Sequence, residues 1–218
     1  MSTEHPERHI LEIGGRRLLV GMATEHEYGE HLRRRFVPLI TGVGPVEAAV
    51  SVTAALARLA AEAKLPDAVL SLGSAGSRSL EHAAIYQIAS VSYRDMDATA
   101  LGFDKGQTPF TDLPVVIEID HRVPELKTAS IATGASIVTG AGYDGIDADM
   151  VDMESFAVLR AADRFGVPMI GIRGISDGRA EITGLHDWTE YLHVIDEKLA
   201  TALDLLELAV LDGSLSFD

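Results

Sequence analysis

Apolar residues fall along this chain in short runs separated by stretches of helical spacing, and that alternation sets the expected fold before any motif is considered. Between His9 and Met22 the runs ILEI and RRLLVGM flank a Gly-Gly pair, which predicts a hairpin leading into an inner strand. Phe36 to Thr41 reads as a second buried strand that runs into GVGP. There Pro45 suits the first turn of a helix, and the glycines allow close backbone approach to a ligand. Alanine and leucine then recur at helical spacing from Val46 to Ala63.

The same rhythm continues. Asp67 to Leu72 predicts a strand that empties into GSAGS at Gly73 to Ser77, a turn rich in open backbone amides. Ile85 to Tyr93 is another strand. The stretch after it, RDMDATALGFDKGQTPF, holds too much glycine and aspartate for a regular helix and reads as a functional loop. Val115 to Ile119 and Ser136 to Thr139 predict further strands, Met150 to Phe165 an amphipathic helix, and Val167 to Ile172 a strand. His186 to Leu211 predicts one long closing helix with Leu192, Ile195, Leu199, Leu203 and Leu206 on its apolar side. Strands alternating with helices imply a single α/β domain over residues 1–218, three-layered α/β/α around a mixed central sheet, with residues 1–8 frayed.

Composition narrows the function. At 218 residues one domain is the default, and 33 acidic against 18 basic residues give a formal charge of -15. That balance argues against nucleic acid or an anionic membrane as a partner. The absence of cysteine excludes disulfides, thiolate metal ligands and a cysteine nucleophile. MSTEHPERHI has no apolar signal core and no run of about eighteen apolar residues occurs, so a cytoplasmic protein is expected. The eight histidines show no paired ligand spacing, GVGP lacks the third glycine of the dinucleotide fingerprint, and no Walker loop is present. No metal and no cofactor are expected.

The candidate chemistry sits in VPMIGIRGISDG, Val167 to Gly178. A strand ending in Arg173, Ser176 and Asp177 puts a cation, a hydroxyl and a carboxylate at one sheet edge, where α/β proteins bind their ligands. Glu154, in the VDMES of Val151 to Ser155, offers a second carboxylate to the same ligand. Each residue also has an ordinary reading. Asp177 suits a helix cap, Glu154 a solvated helix position or an ion pair with Arg173, and Ser74 a glycine-rich turn.

The joint order of these pieces resembles the methylthioadenosine/S-adenosylhomocysteine nucleosidases of the nucleoside phosphorylase superfamily. The matching stretches are TGVGPVEAA at Thr41, LSLGSAGS at Leu70, YRDMDATALGFDKGQTP at Tyr93, SIVTGAGY at Ser136, VDMES at Val151 and VPMIGIRGISDG at Val167. The resemblance implies a nucleoside phosphorylase-like fold and hydrolysis of an adenine nucleoside at its N-glycosidic bond, in a homodimer. Asp177 then matches the general acid for the leaving adenine, oriented by Ser176, and Glu154 the carboxylate on the ribose hydroxyls, with Met153 against the sugar. Arg173 and Ser74 match groups around the attacking water. Tyr143 and the backbone of Asp144 match the base contacts, with Gly76 beside them. Val43 lines the 5′ pocket, and Leu101, Phe103 and Pro109 approach it partly across the dimer interface.

Charge development supports such a site on its own terms. Glycosidic cleavage builds positive charge on the ribose and negative charge on the base, so a carboxylate at one end and an acid at the other act where charge appears. The family also uses an N-terminal glutamate to activate water. Ala23 to Glu27, AxExE, offers Glu27, with Glu25 as second choice.

The chain departs from the family pattern in several places. Between Glu27 and Thr41 it is much shorter, Ala141 stands where an aspartate is common, Asp152 replaces a glutamate, and Tyr86-Gln87 a Gly-Asp pair. Phosphorolytic relatives carry an arginine two residues before the GS turn, where this chain has Ser71, and a phosphate loop where it has MATEHE. Water is therefore the expected nucleophile. The alternatives are a futalosine-type or other purine nucleoside hydrolase, a phosphorylase, and a nucleoside-binding protein without turnover.

Overall fold

In the computed structural model, which describes residues 5–178 and 184–217, nine strands form one mixed sheet with helices on both faces. Strands β1 (Ile10–Ile13) and β2 (Arg16–Met22) make the predicted hairpin, turning at Gly14-Gly15. A four-residue helix, α1 (Glu30–Arg33), precedes the short β3 (Leu39–Ile40), which is narrower than the strand expected over Phe36 to Thr41. Helix α2 (Pro45–Ala61) starts at its proline as expected and buries Ala48, Val52, Ala55, Leu56 and Leu59. Strand β4 (Ala68–Gly76) runs four residues beyond Leu72, so GSAG is strand rather than turn. β5 (Ile85–Tyr93) has its predicted bounds, and β6 (Val116–Glu118) lies at the edge.

The expected strand at Ser136 to Thr139 is not one. The strand is β7 (Thr128–Thr133), TASIAT, whose small side chains fit between β5 and β8 (Met150–Asp152). Met150 likewise opens a strand and not a helix. Helix α3 (Ser155–Asp163) begins only after Asp152 has accepted hydrogen bonds from the Ser155 backbone N–H and hydroxyl. Strand β9 (Met169–Asp177) extends past Ile172 to include Arg173, Ser176 and Asp177. The closing helix is two pieces, α4 (Leu185–Thr189) and α5 (Leu192–Leu211). Residues 5–8 are not frayed: Pro6–His9 forms a 3-10 turn with Pro6 and His9 buried. Residues 1–4 lie outside the described residues.

Five strands close on one another. β4 pairs with β9, β9 with β5, β5 with β7, β7 with β8, and β8 returns to β4. Around this ring Tyr93 lies opposite Thr133, Thr133 opposite Asp152, and Gly76 opposite both Val151 and Asp177; β5 runs antiparallel to β9, so its start, Ile85, lies beside Gly174 near the end of β9. One apolar core lies between the sheet and α1 and α5, around Leu70, Ile172, Ile195, Leu199 and Leu203. A second lies under α2 and α3, around Val52, Leu56, Met169, Val158 and Ala162. Both faces of the sheet are therefore covered, as a three-layer α/β/α domain requires. No helix among the described residues is long and apolar enough to cross a membrane.

Candidate active site

Strand β9 sets one end of the candidate site. Its register against β4 pairs Ala75 with Ile175 and then Gly76 with Asp177, so Ser176 is an extra residue. Such a bulge bends a strand and re-aims its side chains. The buried Ser176 hydroxyl donates to Asp177 Oδ1 and lies 3.4 Å from the Ala75 carbonyl. Burial pushes the Asp177 carboxyl up from its ordinary range, against the opposing effects of Ser176 and His82. Gly76 lets the site close up here, because a Cβ would meet the Tyr143 hydroxyl at 2.6 Å and Asp177 Oδ2 at 2.9 Å and would push one of these side-chain tips aside.

Tyr143 lies in the 3-10 segment Gly140–Gly145 with its ring buried, and its hydroxyl has no hydrogen-bond partner among the described residues. Burial, then the nearby Asp177 charge, pushes its pKa up to about 12. The exposed Asp144 side chain pairs with Arg78, which leaves its backbone as the part that could read a base.

At the other end, Glu27 closes the 3-10 turn Glu25–Glu27 and is buried. Its Oε1 accepts from the Ser74 backbone N–H and hydroxyl, both at 2.7 Å, while Oε2 is buried without a partner. Burial raises the Glu27 pKa and outweighs those two bonds. Glu25 differs in kind: it is exposed and pairs with Arg33 at 3.0 Å. The geometry therefore puts Glu27, and not Glu25, beside Ser74.

The shortened segment after Glu27 is tied down from far away in sequence. Asp196 of α5, buried, accepts from the backbone N–H groups of Gly29 (3.0 Å), His31 (2.8 Å) and Leu32 (3.2 Å). One carboxylate thus caps α1 and satisfies three orphan donors. The Tyr28 hydroxyl donates to the Phe36 carbonyl on the same segment.

Glu154 lines the same small cavity as Glu27 and is half-buried at the N-cap of α3. It accepts from the Gly44 N–H at 2.8 Å. Gly44 has φ of 98°, a conformation open to glycine, and this aims its amide at the carboxylate. Burial first, then Asp152 and Glu27, push the Glu154 pKa up to about 7. Met153, half-buried, lies between Asp152 and Glu154, and Val43, largely exposed, precedes Gly44.

Arg173 does not point freely at this space. One guanidinium nitrogen donates to the Ser71 and Ile172 carbonyls, at 2.9 and 3.1 Å. The other lies 2.9 Å from the Ser71 and Ser155 hydroxyls and 3.2 Å from Asp152 Oδ2. Ser71, Ser155 and Asp152 are members of the site that motif reading did not assign. Asp152 was visible only as a departure from the glutamate pattern, Ser71 only as the place where phosphorolytic relatives carry an arginine, and Ser155 carried no signal. Glu27, Ser74, Glu154 and Arg173 share a cavity of about 10 Å³, close to the room one water needs.

Leu101, Phe103 and Pro109 do not line that cavity. Leu101 is exposed, and Phe103 meets the exposed Phe110 edge-on at 5.4 Å. A larger cavity, about 590 Å³, is lined by Tyr93, Arg94, Ile137, Val138 and Gly142. It contains none of Glu27, Glu154 and Asp177, so the meeting of the raised carboxyls Glu27 and Glu154, and not cavity size, marks the candidate site, while Asp177 lies outside the small cavity at the end of β9.

Comparison with known proteins gives one consistent set of relatives. The model of the phosphorylase superfamily matches residues 15–210. A 5′-methylthioadenosine/S-adenosylhomocysteine nucleosidase of Actinobacillus succinogenes is 32% identical over 178 residues, 72% of this chain and 74% of the relative. One of Staphylococcus aureus is 30% identical over 172 residues, 69% and 73% of the two chains. Among solved structures, the nucleosidase of Colwellia psychrerythraea in complex with adenine superposes with a TM-score of 0.69 at 25% identity. That match covers 88% of this chain and 94% of the other.

Proposed function

Since the chain belongs to the phosphorylase superfamily and, within it, to the 5′-methylthioadenosine/S-adenosylhomocysteine nucleosidase family, we propose that it hydrolyses adenine nucleosides of that kind. The products are free adenine and a ribose carrying the 5′ substituent. The observation that carries the hydrolytic reading is the water-sized cavity walled by Glu27, Ser74, Glu154 and Arg173. Glu27 Oε2, buried and unpartnered, is the oxygen available to take a proton from water there.

In this reading the water oxygen bonds to the anomeric carbon as the bond to the base nitrogen breaks. Glu27 receives the water proton, and Asp177 gives its own to the departing adenine. Burial raises the pKa of both carboxyls, the direction that strengthens a base and lets an acid hold its proton until it is donated. Glu154 faces the ribose and opposes the positive charge that builds there. Tyr143 and the Asp144 backbone hold the base, Ser176 orients Asp177, and Met153 packs on the sugar. Arg173 acts by holding Asp152 and Ser71 in place.

Phosphate is a poor nucleophile for this site. The Arg173 amino groups are taken up by Ser71, Asp152 and Ser155, and the Glu27 carboxylate repels an anion from the cavity. Adenine release from methylthioadenosine and S-adenosylhomocysteine is expected at the same rate with and without phosphate. Strict dependence on phosphate would sink the hydrolase reading, and release from inosine-type or futalosine-type nucleosides alone would reassign the substrate.

We further propose that the protein works in the cytoplasm as a homodimer. Val43, Val46 and Val50 are exposed apolar residues at and after the start of α2, and Leu101 and Phe110 are exposed on the long loop. Covering such apolar surface favours association. The 5′ pocket would then take Val43 from one protomer and Leu101, Phe103 and Pro109 from its partner, an apolar lining suited to a thioether. Light scattering is expected to give the mass of two chains; a fully active monomer would remove the loop from the 5′ pocket.

A further inference from the structure

We propose that Trp188 is a positioning residue for the reaction: its indole N–H fixes the Ser74 hydroxyl as a donor to Glu27 and so reserves one Glu27 oxygen for the water. The inference rests on the reading of Glu27 as the water-activating base. Trp188 lies on α4, half-buried, and its Nε1 is 3.0 Å from Ser74 Oγ. Ser74 Oγ is in turn 2.7 Å from Glu27 Oε1.

The direction of this chain of bonds follows from donor chemistry. An indole N–H can only donate, and a serine hydroxyl has one proton and two lone pairs. Ser74 Oγ must therefore accept from Trp188, and its single proton is left for Glu27. With the Ser74 backbone N–H also on Oε1, that oxygen accepts twice while Oε2 accepts from no described residue. The asymmetry leaves Oε2 as the basic oxygen that faces the cavity. Without the indole, the hydroxyl can rotate to other acceptors, and Oε1 keeps only the Ser74 backbone N–H of the two bonds that distinguish it from Oε2. His26, next to Glu27 in sequence, packs its ring 5.9 Å from that of Trp188, so the indole also rests on the turn that carries the base.

Trp188→Phe keeps the ring and removes the donor, and it should be compared in the wild-type and Ser74→Ala backgrounds with full steady-state kinetics. The expected result is a loss of roughly three- to tenfold in kcat with KM little changed in the wild type. In Ser74→Ala the same substitution should cost nothing further, because the group through which the indole acts is gone. Equal losses in both backgrounds would mean that the ring acts by packing and would overturn the proposal. So would a rise in KM with kcat unchanged, or normal kinetics of the single variant. Glu27→Gln run alongside separates the two ideas. Near-normal turnover in that variant removes Glu27 as base, whereas a large loss there with additive Trp188 effects removes only the positioning role.

Discussion

Replacement of Asp177 by asparagine is expected to lower the rate of adenine release by roughly two to four orders of magnitude, the range over which a general acid acts. The amide is nearly the same shape and can still accept from the Ser176 hydroxyl through its oxygen, so the bulge in β9 should persist. It cannot transfer a proton to a leaving base. Binding of a non-hydrolysable nucleoside analogue should therefore change little. Single-turnover release of adenine, with calorimetric titration of the analogue, measures both quantities. Turnover within about tenfold of the wild type would take the acid role away from Asp177.

Glu27→Gln is expected to cost a comparable roughly hundredfold or more in kcat, because glutamine keeps an oxygen for Ser74 but has no basic oxygen for the water. The same change should make the fold more resistant to alkaline pH. Burial raises the Glu27 pKa above the usual 4.5, so the folded state holds its proton more tightly than the unfolded chain. Below the ordinary carboxylate range both states are protonated and the group is neutral in effect. As pH rises past 4.5 the unfolded chain ionises first, and stability falls until the folded pKa is passed. Glu154, raised to about 7, slopes the same way. The neutral variant lacks the Glu27 share of that slope, so its melting temperature should fall less than the wild type's between pH 5 and pH 8. An unchanged slope together with unimpaired turnover would show that Glu27 is neither strained nor catalytic. A functional residue that lowers stability is a common compromise at active sites.

Legibility in the sequence followed the strength of local signals. Helix α2, with its proline start and regular alanine and leucine spacing, and β5, rich in isoleucine, valine and tyrosine, stood within two residues of their predicted bounds. β7 did not, because TASIAT is neither strongly apolar nor β-branched throughout. Its burial comes from neighbours on both sides of the ring. β8 has only three residues and flows into helical spacing, so periodicity merged it with α3. Arg173, Ser176 and Asp177 could be found because they crowd one short segment. Their strand alternation and the bulge could not, since both depend on the register with β4. Asp196 and Trp188 were silent. Each is a single polar or aromatic residue in a helix, and the groups they serve are more than a hundred positions away.

That distance has a consequence in time. The three backbone amides after Glu27 are capped by Asp196, more than 160 residues later in the chain. Synthesis proceeds from the N-terminus, and early segments can settle before late ones exist. Until α5 has left the ribosome, the segment behind Glu27 has open donors and no fixed course. Asp177, Glu154 and the strands beside them all precede α5 and can be in place first. The Glu27 end of the cavity thus waits on a residue made late, although Glu27 is itself among the first to be made.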